Sequence, residues 1–103
     1  MKRYLLTPWA ASDLQGIKDY IAKDSTTAAR RVVREIRAEM LKAAESPGTG
    51  HRHQDLDDSV KVRVVYSYLI IYDPATRPIQ VLRVLHGSMD LPNLSLAPAD
   101  LRH

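Results

Sequence analysis

The chain predicts an α+β fold with the element order β-α-α-β-β-β: a helical hairpin packed on one face of a mainly antiparallel sheet. Three observations carry this. Two amphipathic stripes of helical period follow each other with almost no linker. A Pro/Gly break then ends the helical pattern. Beyond it, residues 60–86 hold a dense run of β-branched and aromatic residues interrupted by one clear turn.

The first strand is the short Tyr/Leu-rich segment from Lys2 to Leu6. Thr7-Pro8 then starts a helix, with Thr as N-cap and Pro at the first helical position, where a missing N–H costs nothing. Ala10, Leu14, Ile17 and Ile21 form its apolar stripe, with Tyr20 beside it and Asp13, Lys18 and Asp19 off it. This helix is expected to end near Lys23. A second N-cap cluster, Asp24 to Thr27, opens a longer stripe through Ala29, Val32, Val33, Ile36, Met40, Ala43 and Ala44. So short a connection makes the helices antiparallel neighbours. The outer face of the second helix mixes Arg30, Arg31, Arg34, Arg37 and Lys42 with Glu35, Glu39 and Glu45, which predicts a solvated face. Ser46 to Gly50 stops the helix.

A polar loop, residues 51–59, precedes the strands. From Val60 to Tyr72 strand propensity beats helix propensity, and a bend near Tyr66-Ser67 is expected to divide the run into a hairpin although no Gly or Pro marks it. Asp73 to Pro78 is a turn. Ile79 to His86 is apolar on both faces, as expected of a central strand. Residues 91–103 read as a Leu/Pro/Ala tail that docks first and frays last. The whole of 1–103 is expected to form a single domain.

Composition narrows the classes. With 45% apolar and 26% charged residues the chain is an ordinary soluble globule. Zero cysteines exclude a disulfide framework and any thiolate site, and suit a reducing cytoplasm. The start MKRYLLTPW lacks a signal-peptide core, and no run approaches membrane-spanning length. A net charge of +3 favours an anionic partner without choosing between nucleic acid and acidic protein.

The chemistry-bearing candidates lie in the strand block. Arg63 and Arg83 each sit alone among apolar residues, His86 ends the last strand, and Lys61 shares a strand face with Arg63. Together they suit handling of an anion. An Arg among buried apolar residues also demands a counter-charge, for which Asp55, Asp57 or Asp58 offer themselves. By strand alternation Arg83 is expected on the face of Ile79, Val81 and Leu85. His86 reads as a strand-end hydrogen-bonding residue before it reads as a catalyst. Tyr66, Tyr68 and Tyr72, at strand spacing, read as core and cross-strand packing. His51 and His53 alone on a loop do not make a metal site, and neither metal nor cofactor is expected.

The ordered set of TPWAASDLQGIKDYI, AAESPGTG, VKVRVV, YLIIYDP and IQVLRVLHGSMD resembles the ParE/RelE superfamily of bacterial type II toxins over roughly residues 2–94. The RVLH segment leans towards the ParE branch. The resemblance implies the superfamily's fold, a toxin that inhibits DNA gyrase by trapping it on cleaved DNA, and a cognate ParD-like antitoxin that silences it. On that reading Arg63, Arg83 and His86 are target-binding residues, and nucleic acid is met only indirectly. The RelE branch instead implies a ribosome-dependent mRNA endoribonuclease, with Arg63, Arg83, His86 and Lys61 as its catalytic set. Cutting RNA at a 2′-hydroxyl needs a base, an acid and cations on the phosphate. The RelE pattern also places a Tyr shortly after the last-strand Arg. This chain has Gly87, Ser88, Met89 and Asp90 there, and three Asp rather than lysines before Arg63. The expectation is therefore a non-catalytic inhibitor.

Overall fold

The computed structural model describes residues 3–88. Met1, Lys2, the Met89-Asp90 pair and the 91–103 tail lie outside the described residues. Within them the order is β1 (Tyr4–Leu6), α1 (Pro8–Ala22), α2 (Thr26–Glu45), a short 3₁₀ turn (Pro47–Thr49), β2 (Lys61–Val65), β3 (Tyr68–Asp73) and β4 (Ile79–His86). The strands form one sheet in the order β1-β4-β3-β2, parallel between β1 and β4 and antiparallel elsewhere.

Both helix starts follow from the capping chemistry. The Thr7 Oγ1 accepts the Ala10 N–H at 3.1 Å, and the Ser25 Oγ accepts the Ala28 N–H at 3.0 Å. The apolar stripes of the two helices then face the sheet. Ala10, Leu14, Ile36, Met40 and Ala43 close over Ile70, Tyr72, Ile79, Val81 and Val84, all buried. Each fully buried aliphatic side chain stabilises the fold by about 1.5–3 kcal/mol relative to exposure. A smaller cluster occupies the opposite face of the sheet, where Val60, Val62, Ile71 and Leu85 are buried. There His51 bridges Val62 through two backbone hydrogen bonds of 2.8 Å, covering part of the outer edge of β2.

Strand alternation breaks once, and the break matters. Tyr72 pairs with Val81 but Ile71 pairs with Arg83, so Leu82 is an extra residue in β4. Ile79, Val81 and Val84 thus line the helix-side core, while Leu82 and Leu85 face the other cluster. Arg83, opposite Ile71, keeps the face of Leu85, but the extra residue separates it from Ile79 and Val81, with which uninterrupted alternation groups it.

The hairpin bend falls where expected, with Tyr66 and Ser67 joining β2 to β3. Tyr66 holds φ at 54°, the left-handed region that primed hairpin turns require at their first central residue. It is also 59% exposed, so it is not the packing residue that its spacing suggests. A bulky residue in this region costs about 1–2 kcal/mol. Tyr66→Asn is therefore expected to raise stability by about 0.5–1 kcal/mol in urea unfolding. A fall instead would mean that the Tyr66 ring gains more against Glu35 and Arg31 of α2 than its backbone loses.

Candidate functional site

The two sheet arginines are not a convergent cationic pair. Arg63, on β2, donates from Nε to Glu39 Oε2 and from Nη1 to Thr49 Oγ1, both at 2.8 Å. Arg83, on β4, makes a two-pronged bond to Asp13, with Nε to Oδ2 at 2.7 Å and Nη2 to Oδ1 at 3.0 Å. Through β3, Arg63 pairs with Ile70 and Arg83 with Ile71. They thus stand two strand spacings apart, about 10 Å. Both pairs are largely desolvated, with side-chain exposures of 19% and 20% for Arg63 and Glu39 and 14% for each of Arg83 and Asp13.

Each pair therefore bolts one helix to the sheet. Asp13 has a further task. β1 ends at Leu6, which leaves the neighbouring edge of β4 unpaired. α1 takes over that edge: the Thr7 hydroxyl donates to the Leu82 carbonyl at 2.8 Å, and Asp13 Oδ2 accepts the Val84 N–H at 3.0 Å. The Asp13 hydrogen bond holds the Arg83 guanidinium above its ordinary pKa.

The loop carboxylates expected to neutralise the arginines do not do so. Asp55 lies 3.9 Å from His53 Nδ1, Asp57 accepts the Ser59 N–H at 2.8 Å, and Asp58 pairs with Arg52 at 3.6 Å. The reason is layering. The helices bring Asp13 and Glu39 to the arginines, whereas the 51–59 loop packs through Leu56 against the opposite face of the sheet. Asp13 and Glu39 flank the apolar stripes of their helices, one residue before Leu14 and Met40, and that position is the sequence signal for a cross-layer counter-charge.

Burial works to raise the Glu39 pKa, but hydrogen bonds and charge from Arg63 and Lys42 outweigh it, leaving the group below its ordinary 4.5. A carboxylate lowered in the folded state stabilises fully above its unfolded pKa, and the gain is lost as pH falls through the folded value. Acidifying below about pH 4.5 should therefore erode the stability difference between wild type and Glu39→Gln. Chemical unfolding of both proteins at about pH 7 and about pH 3 checks this; a difference independent of pH would refute it.

His86 is the exposed member of the candidate set. Its ring meets Tyr68 edge-on, centroids 5.7 Å apart and planes at 89°. Nδ1 accepts the Ser88 N–H at 3.1 Å and lies 2.8 Å from the Ser88 hydroxyl, so the neutral ring carries its proton on Nε2. These residues, with Ser12, Asp13 and Tyr20, line an open concavity of about 580 Å³ between α1 and the end of β4. The structure thus brings His86 and Asp13 to one hollow but leaves Arg63 away from it. Lys61 stands beside Arg63 on β2 without a carboxylate partner among the described residues. Tyr72 is wholly buried and donates to the Pro47 carbonyl at 2.7 Å. Among the described residues, no group of three or more His, Asp or Glu side chains is placed to share a metal ion.

The outer face of α2 is solvated as expected, with Arg30, Arg34 and Arg37 exposed, but its two signs of charge are segregated. Arg30, Arg34 and Arg37 recur at spacings of four and three and, with Lys18 of α1, line a groove of about 460 Å³ between the helices. Glu35 and Glu39 occupy the other side of α2, towards β2 and Tyr66. The spacing that separates them is legible in the sequence.

This two-layer arrangement matches, with a TM-score of 0.68, a chain of a solved structure described as the chromosomal ParDE TA system from P. aeruginosa. The two are 20% identical over 81% of this chain and 92% of that one, a likeness that defines the fold class. A family model narrows it: residues 4–91 match the ParE toxin of the type II toxin–antitoxin system parDE. The chain belongs to the ParE toxin family. No curated protein matches it. No helix among the described residues is long and apolar enough to cross a membrane.

Proposed function

We propose that this ParE-family toxin acts by binding DNA gyrase and holding it on cleaved DNA, without catalysing a reaction itself, and that a cognate ParD-like antitoxin neutralises it. The observation that carries the reading is the occupation of the two sheet arginines. Arg63 is tied to Glu39 and Arg83 to Asp13, two strands apart, so they do not converge with His86 on a phosphate. Cleavage at a 2′-hydroxyl would need such convergence. Binding needs only a shaped surface, and the hollow framed by His86, Tyr68 and Tyr20 offers one. We assign target contact to that hollow, with Arg83 supporting it through Asp13 and Arg63 supporting the fold elsewhere. The reading carries with it action in the cytoplasm.

The second reading, a ribosome-dependent endoribonuclease, draws on one feature: an exposed imidazole with Nε2 available beside two tyrosines. Paired assays separate the two. The purified toxin is expected to block gyrase supercoiling and to accumulate gyrase–DNA cleavage complexes. His86→Ala, an exposed position, should weaken that trapping about tenfold at unchanged melting temperature. Intact gyrase activity alongside cut mRNA on ribosomes would sink the proposal.

A further inference from the structure

Gly16 is the one glycine inside either long helix, in the middle of α1. A glycine there weakens the helix relative to alanine, because its backbone loses more freedom on folding. Close packing does not call for it: a Cβ placed at Gly16 would meet no atom within 4 Å. Backbone geometry does not call for it either, since no glycine among the described residues has a positive φ. The fold therefore has no use for the missing side chain. The space it leaves belongs to the hollow of about 580 Å³ that Gly16 shares with Ser12, Ile17, Tyr20, Tyr68 and His86.

The walls of that hollow select what can fill it. Tyr20 is 71% exposed, and Tyr68 and His86 bring two further rings, set edge to face. Ile17 and Val84 add aliphatic surface. Charge of either sign is disfavoured. An anion would meet the Asp13 carboxylate, and a cation would meet Lys23, whose Nζ stands 5.9 Å from the Tyr20 ring centre. The counter-charge of Asp13, Arg83, is already engaged in its two-pronged bond. An uncharged aromatic ring gains from all of these surfaces, by stacking or edge contact with the tyrosines. It can also approach the helix backbone closely only where a Cβ is missing. Aromatic anchors seated in such pockets carry a large share of the binding energy at protein interfaces. We infer that the hollow receives one uncharged aromatic side chain of the target, and that Gly16 sets the depth to which it enters. That the target is gyrase rests on the reading above; the preference for an aromatic group and the role of Gly16 do not.

Gly16→Ala and Gly16→Leu separate stability from contact, since both residues are strong helix formers but fill the hollow to different extents. Both variants are expected to melt above wild type, by about 4 °C for Gly16→Ala. Gyrase trapping should nevertheless fall about threefold in Gly16→Ala and about tenfold in Gly16→Leu. The hollow is also probed directly, through the Tyr68 and His86 ring signals in NMR spectra of the full chain. N-acetyl-tyrosinamide is expected to shift them saturably, and N-acetyl-argininamide and N-acetyl-aspartamide only weakly. Gly16→Leu should abolish the response to tyrosinamide. No tyrosinamide response in wild type, or a stronger response to either charged probe, overturns the aromatic occupant. An equal tyrosinamide response in Gly16→Leu overturns the role of Gly16, as does a lowered melting temperature in Gly16→Ala. The gyrase assay separates the two layers. Full trapping by Gly16→Leu, where wild type also traps gyrase, overturns the inference and leaves the gyrase reading standing. Tyrosinamide binding that Gly16→Leu abolishes, in a protein that leaves gyrase untouched, supports the inference and removes the gyrase reading.

Discussion

An Arg83→Ala variant is expected to unfold with about 3 kcal/mol less free energy than wild type, the largest effect of any polar substitution in this chain. Removing the guanidinium leaves Asp13 as a largely desolvated carboxylate without its two-pronged partner. The uncompensated charge, more than the lost attraction, sets the magnitude. Asp13→Ala should cost a similar amount, because it strands Arg83 and also orphans the Val84 N–H at the edge where β1 has ended. The discriminating variant is Arg83→Met combined with Asp13→Asn. It carries no charge, and the Asn oxygen still accepts from Val84, so it should recover at least half of the loss. Denaturant unfolding of wild type, Arg83→Ala, Asp13→Ala and Arg83→Ala/Asp13→Ala gives the coupling directly. Additive losses in Arg83→Ala/Asp13→Ala would show that the pair is not coupled. For function, an Arg83→Ala toxin that no longer arrests growth is no evidence for a catalytic arginine until its folding has been measured.

Gly50→Ala is expected to destabilise by about 2 kcal/mol, through a clash rather than through backbone freedom. Gly50 has an ordinary extended conformation with φ at −69°. An added Cβ there would collide with the Tyr72 hydroxyl oxygen and sit 3.0 Å from its ring carbon and 3.1 Å from the Lys61 Cβ. Tyr72 has nowhere to go, since it is wholly buried and its hydroxyl is held by the Pro47 carbonyl. Tyr72→Phe removes that hydrogen bond and should itself cost about 1 kcal/mol. It also removes the nearest clashing atom. The Gly50→Ala penalty in a Tyr72→Phe background should therefore fall to about half, a non-additivity readable in melting or urea curves. An unchanged penalty would place the clash elsewhere.

Sequence and structure part company at identifiable places. Helix starts at Thr7 and Ser25, the stop at Ser46-Pro47, the hairpin bend at Tyr66-Ser67 and the central position of β4 were all legible. Each is set by caps, breakers or periodicity within a few residues. Pairing of Arg63 with Glu39 and of Arg83 with Asp13 was not, because those partners lie 24 and 70 residues apart. Two features hid them. The extra residue Leu82 shifts β4 partway along its length. Asp13 and Glu39, read along one helix alone, look like solvent-facing charges beside an apolar stripe.

By itself, then, the sequence determined the element order, the faces that make the core and the presence of solitary cations in a sheet, since capping and periodicity act over one or two turns. Only the tertiary structure decided what those cations do. Placing two helices over the sheet brought a carboxylate to each arginine and left the charge of Arg30, Arg34 and Arg37 facing outward. Registry between layers is fixed by the packing of distant side chains, and no local pattern encodes it.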